Sequence, residues 1–111
     1  MPHSHYRQHP DPVVANGNYN PATITADLNW TASTETDLAS YEVRGVAGPD
    51  YDTEDEVNLA TILPGAPRTY STYSTNFALG TPGNAVSYKV YVILTTGNER
   101  GSNPVSVPRP A

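Results

Sequence analysis

Three sets of residues carry types and spacings that could do chemistry. His3, His5 and His9 lie close enough in the chain to chelate a transition metal through their imidazoles. The simpler reading is a polar arm in which these histidines are incidental. Asp50, Asp52, Glu54, Asp55 and Glu56 form the densest charge cluster. Hard carboxylate oxygens this close together suit Ca²⁺, and Asp50, Asp52, Glu54 and Asp55 are the candidate ligands. An EF-hand loop starting at Asp50 would need Gly at its sixth position and Glu at its twelfth. Asp55 and Thr61 stand there instead. The competing reading is a solvated acidic loop that keeps an edge strand from pairing with strangers. The third set is Tyr51, Tyr70, Tyr73 and Tyr91, interleaved with Ser and Thr and joined by Arg100. Tyrosine gives large contact area at low entropic cost, so this set fits a recognition face. Ordinary cross-strand tyrosine packing is the alternative.

Catalysis finds no comparable support. Cysteine is absent, the three histidines sit in the terminal arm, and the clustered carboxylates sit in a loop with no partner nucleophile. The sequence reads as non-enzymatic and as needing no cofactor, with Ca²⁺ at the acidic loop the alternative. Asn29-Trp30-Thr31 matches a glycosylation sequon, but the large central ring in a strand makes this a coincidence. Six Lys and Arg against eleven Asp and Glu leave no basic face for nucleic acid or anionic membrane. No apolar run approaches the length of a membrane-spanning helix, so no membrane insertion is expected. The segment MPHSHYRQHPDP has no apolar middle, so no signal peptide is visible. Either the chain starts in the cytoplasm or a leader has been removed. Without cysteine the redox compartment cannot be read.

The elements that must position these groups are strands. Leu, Ile, Val and Phe make up 20 of 111 residues, close to the disordered range, but eight Tyr and one Trp restore buriable area and the net charge is only −5. Ser and Thr number 21, as expected for a small sheet protein with a hydroxyl-rich surface. Prolines spare residues 22–48 and 83–103, where central strands are therefore expected. Residues 12–15 suggest a short first strand, stopped by the turn signal Asn16-Gly17-Asn18. From 22 to 30, Ile24, Ala26, Leu28 and Trp30 alternate with polar residues, a period of two. Residues 41–46 alternate again, with Tyr41 and Val43 inward. Residues 57–63 read as a strand or irregular edge. Thr53 and Glu56 before them have capping-box spacing, which allows a helical turn. Tyr73, Thr75, Phe77 and Leu79 share a parity within 67–79. Residues 86–94 form the clearest strand, with Val86, Tyr88, Val90, Val92 and Leu94 on one face. Residues 96–101 read as a hairpin loop, and Val105 and Val107 mark a last strand. Seven short strands separated by regular turns predict an all-β, antiparallel β-sandwich.

The order of these pieces resembles the fibronectin type III family. Trp30 followed by Asp37-Leu38-Ala39-Ser40-Tyr41-Glu42-Val43-Arg44 is similar to its second and third strands. Leu79, then Tyr88-Lys89-Val90-Tyr91-Val92, then Gly97 to Pro104, resembles its last two. The resemblance covers about residues 12–108. It implies a core built on Trp30, Tyr41, Val43, Leu79, Tyr88, Val90 and Val92. It also implies a tyrosine corner in which the Tyr88 hydroxyl returns to upstream backbone. The stretch from Leu79 to Tyr88 is longer than the family's turn. The family has no catalytic residues to carry over. Its integrin-binding members use Arg-Gly-Asp, whereas Ser102 follows Arg100-Gly101 here.

The expectation is a polar arm over 1–11, a fibronectin type III-like domain over 12–108 and a tail over 109–111. Functionally it is a non-catalytic interaction module with protein partners. With Met1 opening the chain, it reads as a small subunit docked on a larger assembly, such as a virion decoration or tail or a cell-surface filament. The alternatives are a spacer or adhesion module from a large secreted bacterial protein, and a Ca²⁺-dependent binding domain using loop 50–56. Each places it on a virion surface or outside the cell.

Overall fold

A computed structural model describes residues 10–72 and 82–111. Its strands are β1 (Ala15–Asn20), β2 (Thr25–Trp30), β3 (Leu38–Ala47), β4 (Val57–Ile62), β5 (Thr69–Thr72), β6 (Ala85–Leu94), β7 (Glu99–Gly101) and β8 (Val105–Pro108). A single 3₁₀ turn, Thr53–Asp55, precedes β4. All pairings are antiparallel. One sheet has the order β1-β2-β5. The other runs β4-β3-β6, with both β7 and β8 on the far side of β6.

The described residues thus form eight strands where seven were expected. β7 and β8 act as one interrupted strand. β7 pairs with the Tyr91–Ile93 end of β6 and β8 with its Ala85–Tyr88 end. At the break, Ser102 N–H donates to the Val90 carbonyl at 2.9 Å, while the Ser102 hydroxyl accepts from Val90 N–H at 3.0 Å. A side chain has replaced one rung of the ladder. Asn103 then crosses to the other sheet. Its carboxamide accepts from Ala15 N–H and donates to Ala15 O, both at 2.9 Å. The two sheets are tied at this corner.

The interior follows from alternation. Ala26, Leu28 and Trp30 of β2 face Tyr41 and Val43 of β3 and Val86, Tyr88, Val90, Val92 and Leu94 of β6, all buried, with Val105 and Val107 closing one side. Trp30 and Tyr41 meet edge to face, their centroids 5.7 Å apart. Burying each of these aliphatic or aromatic side chains stabilises the fold by about 1.5–3 kcal/mol before entropy is counted. The sandwich expected from the sequence is therefore present, with Trp30 and Tyr88 inside it. Leu79, the remaining core candidate, lies outside the described residues. Among the described residues, neither the buried Tyr88 hydroxyl nor the buried Trp30 Nε1 has a hydrogen-bond partner. Hence no described acceptor completes the expected tyrosine corner, and the upstream segment 73–81 lies outside the described residues.

The strands depart from the sequence expectation at several points, among them β3, which starts at Leu38, and β7, which makes a strand of Glu99–Gly101 inside the expected hairpin loop. Asn16-Gly17-Asn18 is not a turn but the middle of β1, paired with Leu28 and its neighbours. Glycine stands there because a Cβ at Gly17 would lie 2.4 Å from Leu28 Cδ2 and 3.1 Å from Val105 Cγ1, so it serves close approach rather than chain reversal. The reversal falls at Pro21–Ile24 instead. Ile24 takes a φ of 56°, a left-handed conformation that a β-branched residue adopts only under strain. That removes Ile24 from the alternating face assigned to it, and it is only half-buried. In β4, Leu59 has no partner between the Val43–Ala60 and Arg44–Asn58 pairs, which makes a bulge. Its Cδ1 reaches the space that Gly45 leaves open, 3.0 Å from where a Cβ would stand.

Of the proposed N-terminal arm, Pro10 is buried and Asp11 N–H donates to Glu35 Oε2 at 2.9 Å, so these two residues are packed onto the domain.

Candidate functional site

Parity in the five-stranded sheet sets which side chains share its outer face. Tyr41, Val43, Val90 and Val92 point inward, so Glu42 and Arg44 of β3 and Lys89 and Tyr91 of β6 point outward. Pairing places Glu42 opposite Tyr91 and Arg44 opposite Lys89. Gly101 of β7 lies opposite Tyr91, and a Cβ there would stand 3.1 Å from the Tyr91 ring. The missing side chain lets the ring lie across the strand.

Arg44 is the hub. Its guanidinium sits 3.9 Å from the Tyr91 ring centroid. Nε donates to Glu42 Oε1 at 2.6 Å, Nη1 to Glu56 Oε2 at 3.1 Å, and Nη1 and Nη2 to the two oxygens of Glu99 at 2.9 and 3.0 Å. This fork on Glu99 is the bidentate geometry that a guanidinium provides and an ammonium does not. The other oxygen of Glu56 accepts from two phenols, Tyr51 at 2.5 Å and Tyr91 at 2.8 Å. Glu56 thereby pins the loop between β3 and β4 down onto the sheet. Lys89 Nζ lies 4.9 Å from the Tyr51 ring centroid on the same face.

The electrostatics follow from this packing. Partial burial works to lower the Arg44 pKa, but the hydrogen bonds and charges of Glu99 and Glu42 outweigh it and hold the guanidinium charged. Burial works to raise Glu56, but the Tyr51 and Tyr91 phenols and Arg44 overcome it and hold its carboxyl below the ordinary value. The Tyr51 and Tyr91 phenols are pushed up, by burial first and then by Glu56. The result is a patch in which the Arg44 guanidinium and Glu56 carboxylate are held charged and the Tyr51 and Tyr91 phenols neutral at neutral pH.

The sequence candidates separate in space. Tyr51 and Tyr91 come together here. Tyr70 sits on β5 in the other sheet and packs against the core. Tyr73 lies outside the described residues, so one shared face for all four tyrosines is not what the described part shows. Arg100 is exposed on β7, opposite Val92. Asp50, Asp52, Glu54 and Asp55 are exposed, and Asp52 Oδ1 caps the 3₁₀ turn by accepting from Glu54 N–H at 2.9 Å. Among the described residues no three His, Asp or Glu side chains converge as a metal site would require. His3, His5 and His9 lie outside the described residues. The hub residues Arg44, Glu42 and Glu99 were not candidates from the sequence, and Glu56 figured there only as the end of the acidic run 50–56. Alternation places Glu42 and Arg44 on the wet face of β3, but only strand pairing brings Glu99 and Glu56 to them.

No family model matches the chain, and neither does any curated protein. Solved structures do. An Fn3-like protein from Clostridium thermocellum aligns over 92% of this chain and 95% of its own, at TM-score 0.64 and 18% identity. A pectate lyase from Pectobacterium carotovorum aligns over 86% of this chain, at TM-score 0.67 and 14% identity. A spore cortex lytic enzyme from Clostridium perfringens aligns over 90% of it, at TM-score 0.66 and 20% identity. This chain spans 27% of that lyase and 28% of that lytic enzyme. At these identities the likeness establishes the fold, a fibronectin type III-like β-sandwich.

Proposed function

We propose that this chain is a non-catalytic interaction module that docks on a larger protein assembly through the outer face of its five-stranded sheet. The observation that carries this reading is the Arg44–Glu99–Glu56–Tyr51–Tyr91 network. Arg and Tyr dominate the energetics of protein interfaces. Side chains already fixed by their neighbours lose little entropy on binding, so contact area converts into affinity more fully. The half-buried cation Lys89, over the Tyr51 ring, borders the patch and supplies orientation. An assembly at a virion or cell surface is the setting that suits such a module.

A photocrosslinking amino acid at position 89 tests this in the cells that make the protein. Adducts with one discrete partner are expected from this position and not from position 69 on the opposite sheet. Adducts of equal yield from both sheets, or none from the outer face, would overturn it.

A second reading is favoured by the structural neighbours. The fold occurs as about a quarter of a pectate lyase and of a spore cortex lytic enzyme. The chain would then serve as a spacer or adhesion module within a large secreted protein, its sandwich holding other domains at a set distance. In that case position 89 crosslinks within the parent polypeptide rather than to a separate one.

A further inference from the structure

The outer faces of the two sheets differ in chemistry. Ala15, Ala26, Leu28, Trp30 and Tyr70 pack into the interior, so the alternate residues of β1, β2 and β5 point outward. Strand pairing sets these in rows that cross the sheet. Asn16, Asn29 and Thr69 make one row, and Asn18, Asp27 and Ser71 make the next. All are exposed except Asp27, which is half-buried. Within these strands the face holds amides, hydroxyls and one carboxylate, with no cation, no ring and no aliphatic side chain. The carboxylate is fixed in place. Asp27 Oδ1 accepts from the Thr25 hydroxyl at 2.7 Å and Oδ2 from Asn20 Nδ2 at 3.1 Å, and the Ser71 hydroxyl is a third donor. Thr25, Ser71 and Asn20 together hold its carboxyl below the ordinary value. A carboxylate has room for a further donor. Among the described residues, the carboxamides of Asn16, Asn18 and Asn29 have no partner, and each can both donate and accept.

We propose that the outer face of the β1-β2-β5 sheet binds a neutral, extended polysaccharide chain laid across the strands, held by the carboxamides of Asn16, Asn18 and Asn29 and by the Asp27 carboxylate. The chemistry of the face selects this occupant. A protein partner draws its affinity from aromatic and Arg anchors set in apolar surroundings, and this face has neither. Nucleic acid and anionic lipid need cations, and an acidic glycan would meet the fixed Asp27 charge. A neutral sugar chain presents hydroxyls that donate and accept, as the carboxamides do, so each hydrogen bond to water is exchanged for one to the ligand. The spacing agrees. Neighbouring strands stand ~4.8 Å apart, close to the advance of one sugar ring along an extended β-linked chain, so each row offers one polar group per ring. This inference concerns the three-stranded sheet and stands independently of the reading above. A carbohydrate occupant leaves no protein adduct at position 69.

Amide shifts of the full ¹⁵N-labelled chain, titrated with cellohexaose, β-1,4-mannohexaose and N-acetylchitohexaose up to ~5 mM each, test it. At least one should give saturable shifts centred on the side-chain amides of Asn16, Asn18 and Asn29, with a Kd of ~1 mM. That Kd should be the same at ~50 and ~500 mM salt, because the ligand is uncharged. Hexagalacturonate, an acidic counterpart, should bind about fivefold more weakly or not at all. Asn18→Ala with Asn29→Ala should raise the Kd by about fivefold or more. Asn58→Ala with Thr61→Ala on the other sheet should leave it unchanged. Circular dichroism melts confirm that both variants are folded. If the first fails to fold, the location of the shifts in the native chain decides. No saturable shift with any of the three neutral chains, shifts centred on the five-stranded sheet, hexagalacturonate binding as tightly as they do, a Kd that rises with salt, or a folded Asn18 and Asn29 double variant that binds like the native chain would overturn the inference.

Discussion

Replacing Glu56 with Ala is the most informative perturbation of the outer face. It removes the acceptor for the Tyr51 and Tyr91 phenols and one of the carboxylates on Arg44. Hydrogen bonds to a charged group contribute about 1.5–3 kcal/mol each when buried. Two considerations reduce the sum. Arg44 retains Glu42 and Glu99, and the freed phenols can turn to water because the site is at the surface. The expected loss is about 2 kcal/mol, or about 8–10 °C in Tm for a domain of this size. The sign with pH follows from the direction of each shift. Glu56 is lowered from 4.5, so its contribution is present above that value and lost as pH falls through the lowered one. Tyr91 is raised from 10.0, so its contribution is present below that value and lost as pH rises through the raised one. Tyr51 shifts the same way. The gap between wild type and Glu56→Ala should therefore be widest from about pH 5 to 9 and shrink on either side. Urea unfolding at several pH values measures it. Alkaline titration of phenolate absorbance should show two phenols moving toward the ordinary value in the variant. A Tm change under 2 °C at pH 7, or unchanged phenol titration, would refute the view that Glu56 pins the loop to the sheet.

Other expected outcomes test the frame. Asn103→Ala leaves the N–H and carbonyl of Ala15 without their protein partners and should cost about 2–4 kcal/mol in urea unfolding, with Asn103→Asp recovering at most the acceptor half. Gly17→Ala forces a methyl against Leu28 and Val105 and should cost about 1–3 kcal/mol, seen as a lower unfolding midpoint at unchanged m-value. Tyr88→Phe removes a buried hydroxyl with no described partner and should change stability by less than ~0.5 kcal/mol or raise it; a loss above ~1 kcal/mol would mean the hydroxyl is bonded in the native protein. Millimolar Ca²⁺ should leave Tm unchanged, since Asp50, Asp52, Glu54 and Asp55 do not group as a metal site requires and the three glutamates that do meet are already held by Arg44.

The alternation of residues along β2, β3 and β6 made the sandwich legible in the linear chain. Period-two burial is a local property, so Leu28, Trp30, Tyr41, Val43, Tyr88, Val90 and Val92 declare their inward faces without reference to any partner strand. The same logic puts Glu42, Arg44, Lys89 and Tyr91 on the wet side. Local signals misled where glycine had two possible uses. Gly17 looked like a turn because glycine suits both a reversed backbone and a crowded one, and only the position of Leu28 and Val105 tells them apart. The acidic run 50–56 looked like a ligand cluster because adjacency in sequence was all it offered. Folding split it, sending Asp50, Asp52, Glu54 and Asp55 to solvent and Glu56 onto two phenols and a guanidinium. The Arg44–Glu99 fork joins residues 55 positions apart across β6. Composition and periodicity determine that the chain makes two packed sheets and which side of each is wet. Which wet residues meet depends on strand order and register, and those are decided by the whole core closing at once, since a contact between distant strands exists only after the loops between them have been drawn together.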